Sequence, residues 1–224
     1  MRKPTPTLAV LISGRGSNLQ ALIEHAQRTA AYRIAVVISN RPNAGGLDLA
    51  RDAGIPVEVV DHTTFTDRAA FDAALAERLD GYATDWVVLA GFMRVLTEGF
   101  VERYSGRLVN IHPSLLPAFP GLKTHEQALA AGVRVHGATV HLVTPALDHG
   151  PIVDQAVVQV LDGDTPQTLA ERVLALEHRL FPRAIEALCA GRVAHAGSLA
   201  MVGAASQPLI MNIPLVDEHY GQKA

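Results

Sequence analysis

Five short strand-like runs set the plan of this chain: Leu8–Ile12, Ile34–Ser39, Val57–Val60, Trp86–Gly91 and Arg107–Ile111. Helical periodicity fills the stretches between the first four. Leu19, Leu22, Ile23 and Ala26 make one apolar stripe, and Phe71, Leu75 and Leu79 make another. Strands alternating with helices build βαβ units around a mainly parallel sheet. The uninterrupted triplets Val36-Val37-Ile38 and Val87-Val88-Leu89 suit strands covered on both faces. Further on, Gly137–Val143 alternates, with Thr139, His141 and Val143 on one face. A loop rich in proline and glycine then leads to Ile152–Val160, so an antiparallel pair is expected. The expected class is therefore α/β, a Rossmann-like, mainly parallel sheet flanked by helices with an antiparallel C-terminal extension. A length of 224 residues suits a single domain with a core over about 8–191. Residues 192–224 read as an appended tail with room for one strand.

Punctuation places the helices. Ser17 and Gln20 fit a capping box for the first helix, and Asp67 fits as the cap of the third. A helix is expected over His125–Ala131. Thr165 before Pro166 is a helix start, with Pro182 expected to kink that helix and Gly191 to end it.

The chemistry gathers at Arg107–His125, RLVNIHPSLLPAFPGLKTH. Side chains alternate along a strand, so Asn110 and His112 project the same way at its carboxyl end, where open α/β sheets hold ligands. Pro113 disfavours helix at His112. An amide donor and an imidazole converging on one volume suit a developing oxyanion. A histidine that merely closes a strand fits the same residues. Asp148 lies in the loop Thr144–Pro151, which can fold over that mouth. A carboxylate there would keep an imidazole protonated, whereas a turn-forming aspartate bonding its own backbone is the commoner fate.

The turn Ser13-Gly14-Arg15-Gly16-Ser17-Asn18 offers free N–H groups at a helix start, suited to a phosphate. It is neither a Walker A loop nor a dinucleotide fingerprint. No Gly-Lys-Ser/Thr follows, Leu19 occupies the third glycine position, and the second strand ends without an acidic residue. A tight strand–helix turn explains it equally well. Apolar Phe92, Met93 and Leu96 after the fourth strand suit either a pocket for a flat ring or core packing, and Arg94 is hard to place in a core. On these residues alone Arg68 reads as a solvated arginine. Glu177 reads as a solvated helical glutamate within reach of a ribose hydroxyl.

A net charge of −3 gives no overall basic surface for nucleic acid. No apolar run reaches the roughly 18 residues needed to span a bilayer, and the short N-terminal apolar stretch leads straight into glycines rather than a cleavage region. One cysteine, Cys189, excludes an intrachain disulfide; it suits a reducing, cytoplasmic setting and reads as a packed thiol. The histidines at 112, 125, 136 and 141 match no compact zinc spacing, so no metal is expected.

The segments Ser13–Asn18, Gly91–Leu96, Asn110–Pro117 and Gly137–Asp148, in this order over about residues 8–191, resemble the folate-dependent phosphoribosylglycinamide formyltransferases of purine synthesis. Asn-Ile-His-Pro-Ser-Leu-Leu-Pro is shared with the wider formyltransferase family, including its methionyl-tRNA and formyltetrahydrofolate hydrolase branches. Ser-Gly-Arg-Gly-Ser-Asn separates the glycinamide branch. The resemblance implies that Asn110, His112 and Asp148 are a catalytic trio. It assigns Gly16, Ser17, Asn18, Leu174, Ala175, Leu176 and Glu177 to the ribonucleotide. It assigns Arg68, Met93, Arg94, Val95, Leu96, Asn110, Thr144, Pro145, Ala146, Leu147 and Asp148 to 10-formyltetrahydrofolate. That folate is a cosubstrate, with no tightly bound cofactor expected. The partners implied are small molecules, with no nucleic acid and no membrane, and the assembly a monomer or homodimer. Arg15 and the pair Ala118-Phe119 depart from the family's usual residues, away from the trio. A folate hydrolase with the same trio is the nearest rival, and it has little need of a phosphate loop. A nicotinamide oxidoreductase fails on the fingerprint, and a non-catalytic nucleotide-binding module would need no such trio.

Overall fold

A computed structural model describes residues 4–196 and 199–202 of the chain. Its main sheet has seven strands: β1 (Thr7–Ile12), β2 (Arg33–Ser39), β3 (Val57–Val59), β4 (Trp86–Leu89), β5 (Leu108–His112), β6 (Val135–Leu142) and β7 (Ile152–Gln159). Their order is β3-β2-β1-β4-β5-β6-β7. The first five pair in parallel, and β6 and β7 run antiparallel, as the residue pattern predicts. From β1 the chain moves to β2 on one side and later returns to β4 on the other. That reversal opens a crevice at the carboxyl ends of β1 and β4, the usual ligand position in such sheets.

Strand parity divides the core. Leu8, Val10 and Ile12 point into one apolar layer with α1 (Ser17–Thr29) and α6 (Pro166–Cys189). Ala9 and Leu11 point into the other, which is filled by Phe71, Leu75 and Leu79 of α3 (Arg68–Asp80) and Phe100 of α4 (Glu98–Arg103). With helices on both faces, apolar residues of either parity are buried, which explains the unbroken runs in β2 and β4. Asp67 caps α3, accepting from the Ala70 N–H at 2.8 Å. Thr165 and Thr168 cap α6 reciprocally, with Pro182 accommodated inside the continuous helix, which ends at Cys189. Burial pushes the half-buried Cys189 thiol up to about 12, as suits a packed thiol. The helix after β5, α5, spans Thr124–Ala130, one residue earlier at each end than the expected His125–Ala131, and α2 spans Gly46–Asp52.

Two expectations change. The capping box at α1 does not form: Gly16, not Ser17, is the N-cap, at φ 82, and no side chain caps the helix. The cause is steric, because a Cβ on Gly16 would lie 2.6 Å from the Gly46 Cα. Only glycine passes there, so the first-turn N–H groups of α1 stay uncapped by any side chain. The tail carries two strands rather than one, β8 (Val193–Ala196) and β9 (Leu199–Val202), paired antiparallel with each other. A lone strand would leave its backbone groups unpaired. The rest of the tail, from residue 203, lies outside the described residues.

Gly150 closes the β6–β7 connection, where an added Cβ would lie 1.7 Å from the Leu142 carbonyl oxygen. The clash is with backbone and no side-chain motion relieves it. Gly150→Ala is expected to lower unfolding stability by about 2–4 kcal/mol, read from the urea midpoint at unchanged slope.

Candidate active site

Asn110 and His112 stand at the carboxyl end of β5, side by side on one face. Antiparallel pairing sets His141 of β6 opposite Asn110. The His141 Nδ1 lies 3.0 Å from the Leu142 carbonyl, which can only accept, so Nδ1 carries the proton and Nε2 is an acceptor. The Asn110 Nδ2 donates to that Nε2 at 3.2 Å. Burial pushes the His141 pKa down, keeping the ring neutral for this role. One amide hydrogen of Asn110 is thereby fixed on β6, and the other is left for a ligand.

The His112 ring is buried, at 5% exposure. Its Nε2 donates to the Phe119 carbonyl at 3.0 Å, and its Nδ1 faces Asp148 Oδ2 at 3.5 Å. Asp148 does not fold back on its own backbone. Its Oδ2 accepts from the Gly121 N–H at 2.8 Å, which ties the loop after β6 to the loop after β5. Its Oδ1 lies 3.9 Å from His141 Nε2. Asp148 itself adopts φ 51, a conformation L residues visit rarely and aspartate more readily than most. Thr139 and Gln155 hold the β5 loop from behind. The Thr139 hydroxyl donates to the Ser114 carbonyl at 2.7 Å, and the Gln155 amide donates to that of Leu116 at 2.9 Å.

At the sheet's switch point the loops after β1, β2 and β4 are knitted together. The Ser13 hydroxyl donates to Asn40 Oδ1 at 2.6 Å and accepts from the Met93 N–H at 2.8 Å. Alongside, Asn18 Nδ2 donates to Glu177 Oε2 at 2.7 Å, bridging α1 to α6. Glu177 is not the solvated residue expected of its sequence. It is 7% exposed, and burial pushes its pKa up to about 7 against the smaller opposing pull of the Asn18 bond. Folded, this carboxyl keeps its proton to about pH 7; unfolded, it releases it near 4.5. The stability that follows is whole below 4.5 and disappears as pH rises through 7, about 3 kcal/mol in all. Glu177→Gln, neutral at every pH, is expected to unfold with parent-like stability at pH 4 and with higher stability than the parent at pH 8. Urea titrations at the two pH values measure it.

The rim is apolar. Met93, Val95 and Leu147 are 63%, 52% and 59% exposed, with Leu96 half-buried and Pro145 and Ala146 exposed beside them. Arg94 escapes burial by lying over the Phe71 ring, 5.5 Å from its centroid. Thr144 is half-buried, and its hydroxyl bonds the Ala146 carbonyl at 3.3 Å. Leu174 is half-buried, Ala175 exposed and Leu176 buried in α6. Arg68 stands exposed at the start of α3, with no hydrogen bond or ion pair among the described residues. The structure thus brings Asn110, His112 and Asp148 together, and Asn18 with Glu177, and leaves Arg68 outside both groups.

The sequence pattern of the formyl transferase family matches residues 7–185. The chain belongs to the formyl transferase family. Over 188 residues it is 48% identical to the phosphoribosylglycinamide formyltransferase of Escherichia coli, covering 83% of this chain and 88% of that one. It is 50% identical to part of the trifunctional purine biosynthetic protein adenosine-3 of Bos taurus, covering 83% of this chain but spanning only 18% of that protein's length. Among solved structures, glycinamide ribonucleotide transformylase 1 from Symbiobacterium toebii superposes with a TM-score of 0.87 at 47% identity. That match covers 90% of this chain and 96% of the other. The family match ends within α6, so β8 and β9 lie beyond it.

Within this formyl transferase, three contributors to the site were invisible to residue-by-residue reading. In the residue order His141 stands out as one of an alternating face and one of four histidines without zinc spacing, and neither marks it as a partner of Asn110. The Phe119 carbonyl and the Gly121 N–H are backbone groups that any residue carries, so no side-chain pattern marks them. Among the described residues no three His, Cys, Asp or Glu side chains gather as metal ligands. His125 and His136 do meet at 3.2 Å, and burial, reinforced by His125, pushes His136 down to about 4. Nor is any helix of the described residues long and apolar enough to cross a membrane.

Proposed function

We propose that this formyl transferase carries the formyl group of 10-formyltetrahydrofolate to the amine of N1-(5-phospho-D-ribosyl)glycinamide, releasing the N2-formyl product and tetrahydrofolate in purine biosynthesis. The observation that carries the proposal is the convergence of Asn110, His112 and Asp148 on one volume, with the uncapped start of α1 and the buried Glu177 at the same end of the sheet. The substrate's phosphate takes the free N–H groups at Gly16, Ser17 and Asn18, favoured by the helix dipole. Glu177 takes the ribose hydroxyls, with the neighbouring turn Leu174–Leu176 alongside. The pteridine packs against Met93–Leu96 and Thr144–Leu147, with Arg68 at its outer end. The folate is consumed in each turnover and so is a second substrate rather than a resident cofactor.

The amine attacks the formyl carbon, forming the new C–N bond and pushing charge onto the formyl oxygen. Asn110 and His112 donate to that oxygen. In the ground state the His112 Nε2–H is parked on the neutral Phe119 carbonyl. An oxyanion is the stronger acceptor, so the donation strengthens as charge develops, which is what lowers a barrier. Asp148 faces the His112 ring and helps carry the amine proton towards N10 of the folate as the C–N10 bond breaks. On this reading Glu177→Gln also raises the KM for the ribonucleotide about tenfold, leaving that for the folate unchanged.

Purified protein mixed with 10-formyltetrahydrofolate, with absorbance followed with and without the ribonucleotide, tests the assignment. Ribonucleotide-dependent deformylation with a formylated product in the mass spectrum is expected. Equal deformylation in its absence would make the protein a hydrolase instead.

A further inference from the structure

A cavity of about 490 Å³ runs between α1 and α6, and Asn110, His112 and Asp148 take no part in its walls. Its lining includes Arg28 from α1 and Arg179 and Arg183 from α6, against one carboxylate, Glu24. In a chain of net charge −3 this is a local concentration of positive charge and not a sample of the whole surface. Arg179 and Arg183 sit four residues apart on α6, where like charges weaken a helix, so helix stability does not account for them. Neither makes an ion pair or hydrogen bond among the described residues, and Asp154, which senses the Arg183 charge, forms no ion pair with it. Arg28 touches His25 at 3.1 Å through one guanidinium nitrogen. Glu24 is held by Gln20 at 2.9 Å. His178, also in the lining, keeps its Nε2 buried with no partner.

The volume falls in the range of small-molecule clefts, about 300–1,000 Å³, but those are mainly apolar and this one is cationic. It is roomier than a single phosphate needs. Guanidinium forks match phosphate oxygens, and the groove's inner end reaches Ser17, the first residue of α1. We propose that the α1–α6 groove binds a polyphosphate-bearing anion through Arg28, Arg179 and Arg183, at a site separate from the formyl-transfer centre. Ser17 is shared with the ribonucleotide's phosphate site and His178 adjoins Glu177 in sequence, so an occupant places negative charge beside the substrate's phosphate and raises the KM for the ribonucleotide. Only that coupling rests on the proposed reaction; the binding stands without it.

Isothermal titration of the full chain at low ionic strength with inorganic tripolyphosphate and with inorganic phosphate tests the site. One tripolyphosphate per chain, bound more tightly than phosphate, is expected. The double variant Arg179→Ala/Arg183→Ala should weaken it about tenfold, as for two exposed charge contacts, and Arg51→Ala on α2 should not. Adenosine triphosphate is the third titrant. Tighter binding than tripolyphosphate identifies a nucleotide as the occupant, and equal binding identifies the phosphate chain alone; both support the site. Unchanged affinity in the double variant, with its melting temperature intact, overturns the proposal, as does binding without saturation. So does tripolyphosphate that saturating ribonucleotide displaces from parent and double variant alike. A failed transfer assay alongside intact tripolyphosphate binding would remove the reaction and leave the groove.

Discussion

His112→Ala is expected to lower kcat about 100- to 1000-fold, with a similar fall in kcat/KM for both substrates. On the proposed mechanism the side chain supplies one of two donors to the developing oxyanion, and the bond strengthens only as charge appears there. Removing it should therefore raise the transition state more than it weakens ground-state binding, leaving both KM values near those of the parent. The buried ring also fills space between the loops after β5 and β6, so a melting curve must accompany the kinetics. His112→Gln, which keeps a donor and much of the volume, should recover part of kcat if donation is the role. Steady-state rates near those of the parent in His112→Ala would remove this histidine from the chemistry.

Asp148→Asn should keep substrate binding and lose most turnover, about 100-fold or more in kcat. The geometry makes this variant unusually clean. An amide oxygen at the position of Oδ2 can still accept from the Gly121 N–H, now 2.8 Å away, so the tie between the two loops survives. What disappears is the carboxylate 3.5 Å from the His112 Nδ1 and, on the proposed mechanism, the group that moves the amine proton. Binding separates this from a structural effect: the KM values and the melting temperature should stay near those of the parent while kcat falls, whereas loosened packing would also lower the melting temperature. Near-normal kcat would exclude Asp148 from proton transfer.

Local repetition made much of this protein readable from its residues. Strand parity is two, so Asn110 and His112 had to share a face wherever β5 lay. Apolar triplets in β2 and β4 implied helices on both sides, and Asp67 and Thr165 capped their helices because capping involves only a few consecutive residues. The failures are equally instructive. The Ser17–Gln20 capping box satisfied every local rule, yet the close pass of Gly16 against Gly46 put glycine at the cap instead. Glu177 read as solvated because one helical stripe cannot reveal what packs against it; Asn18, 159 residues away, supplies its partner. His141 could be placed on a strand face but not opposite Asn110 without the antiparallel register.

Residue order alone specifies the class of fold, the order of its elements and the side chains at the end of β5, because these follow from periodicity and from groups within a few residues of one another. The packing of distant segments sets which backbone carbonyl faces the His112 Nε2, which way the Asp148 carboxylate turns and how deeply Glu177 is buried. Hydrogen-bond direction and desolvation depend on atoms brought together from distant parts of the chain, and no local pattern encodes their distances.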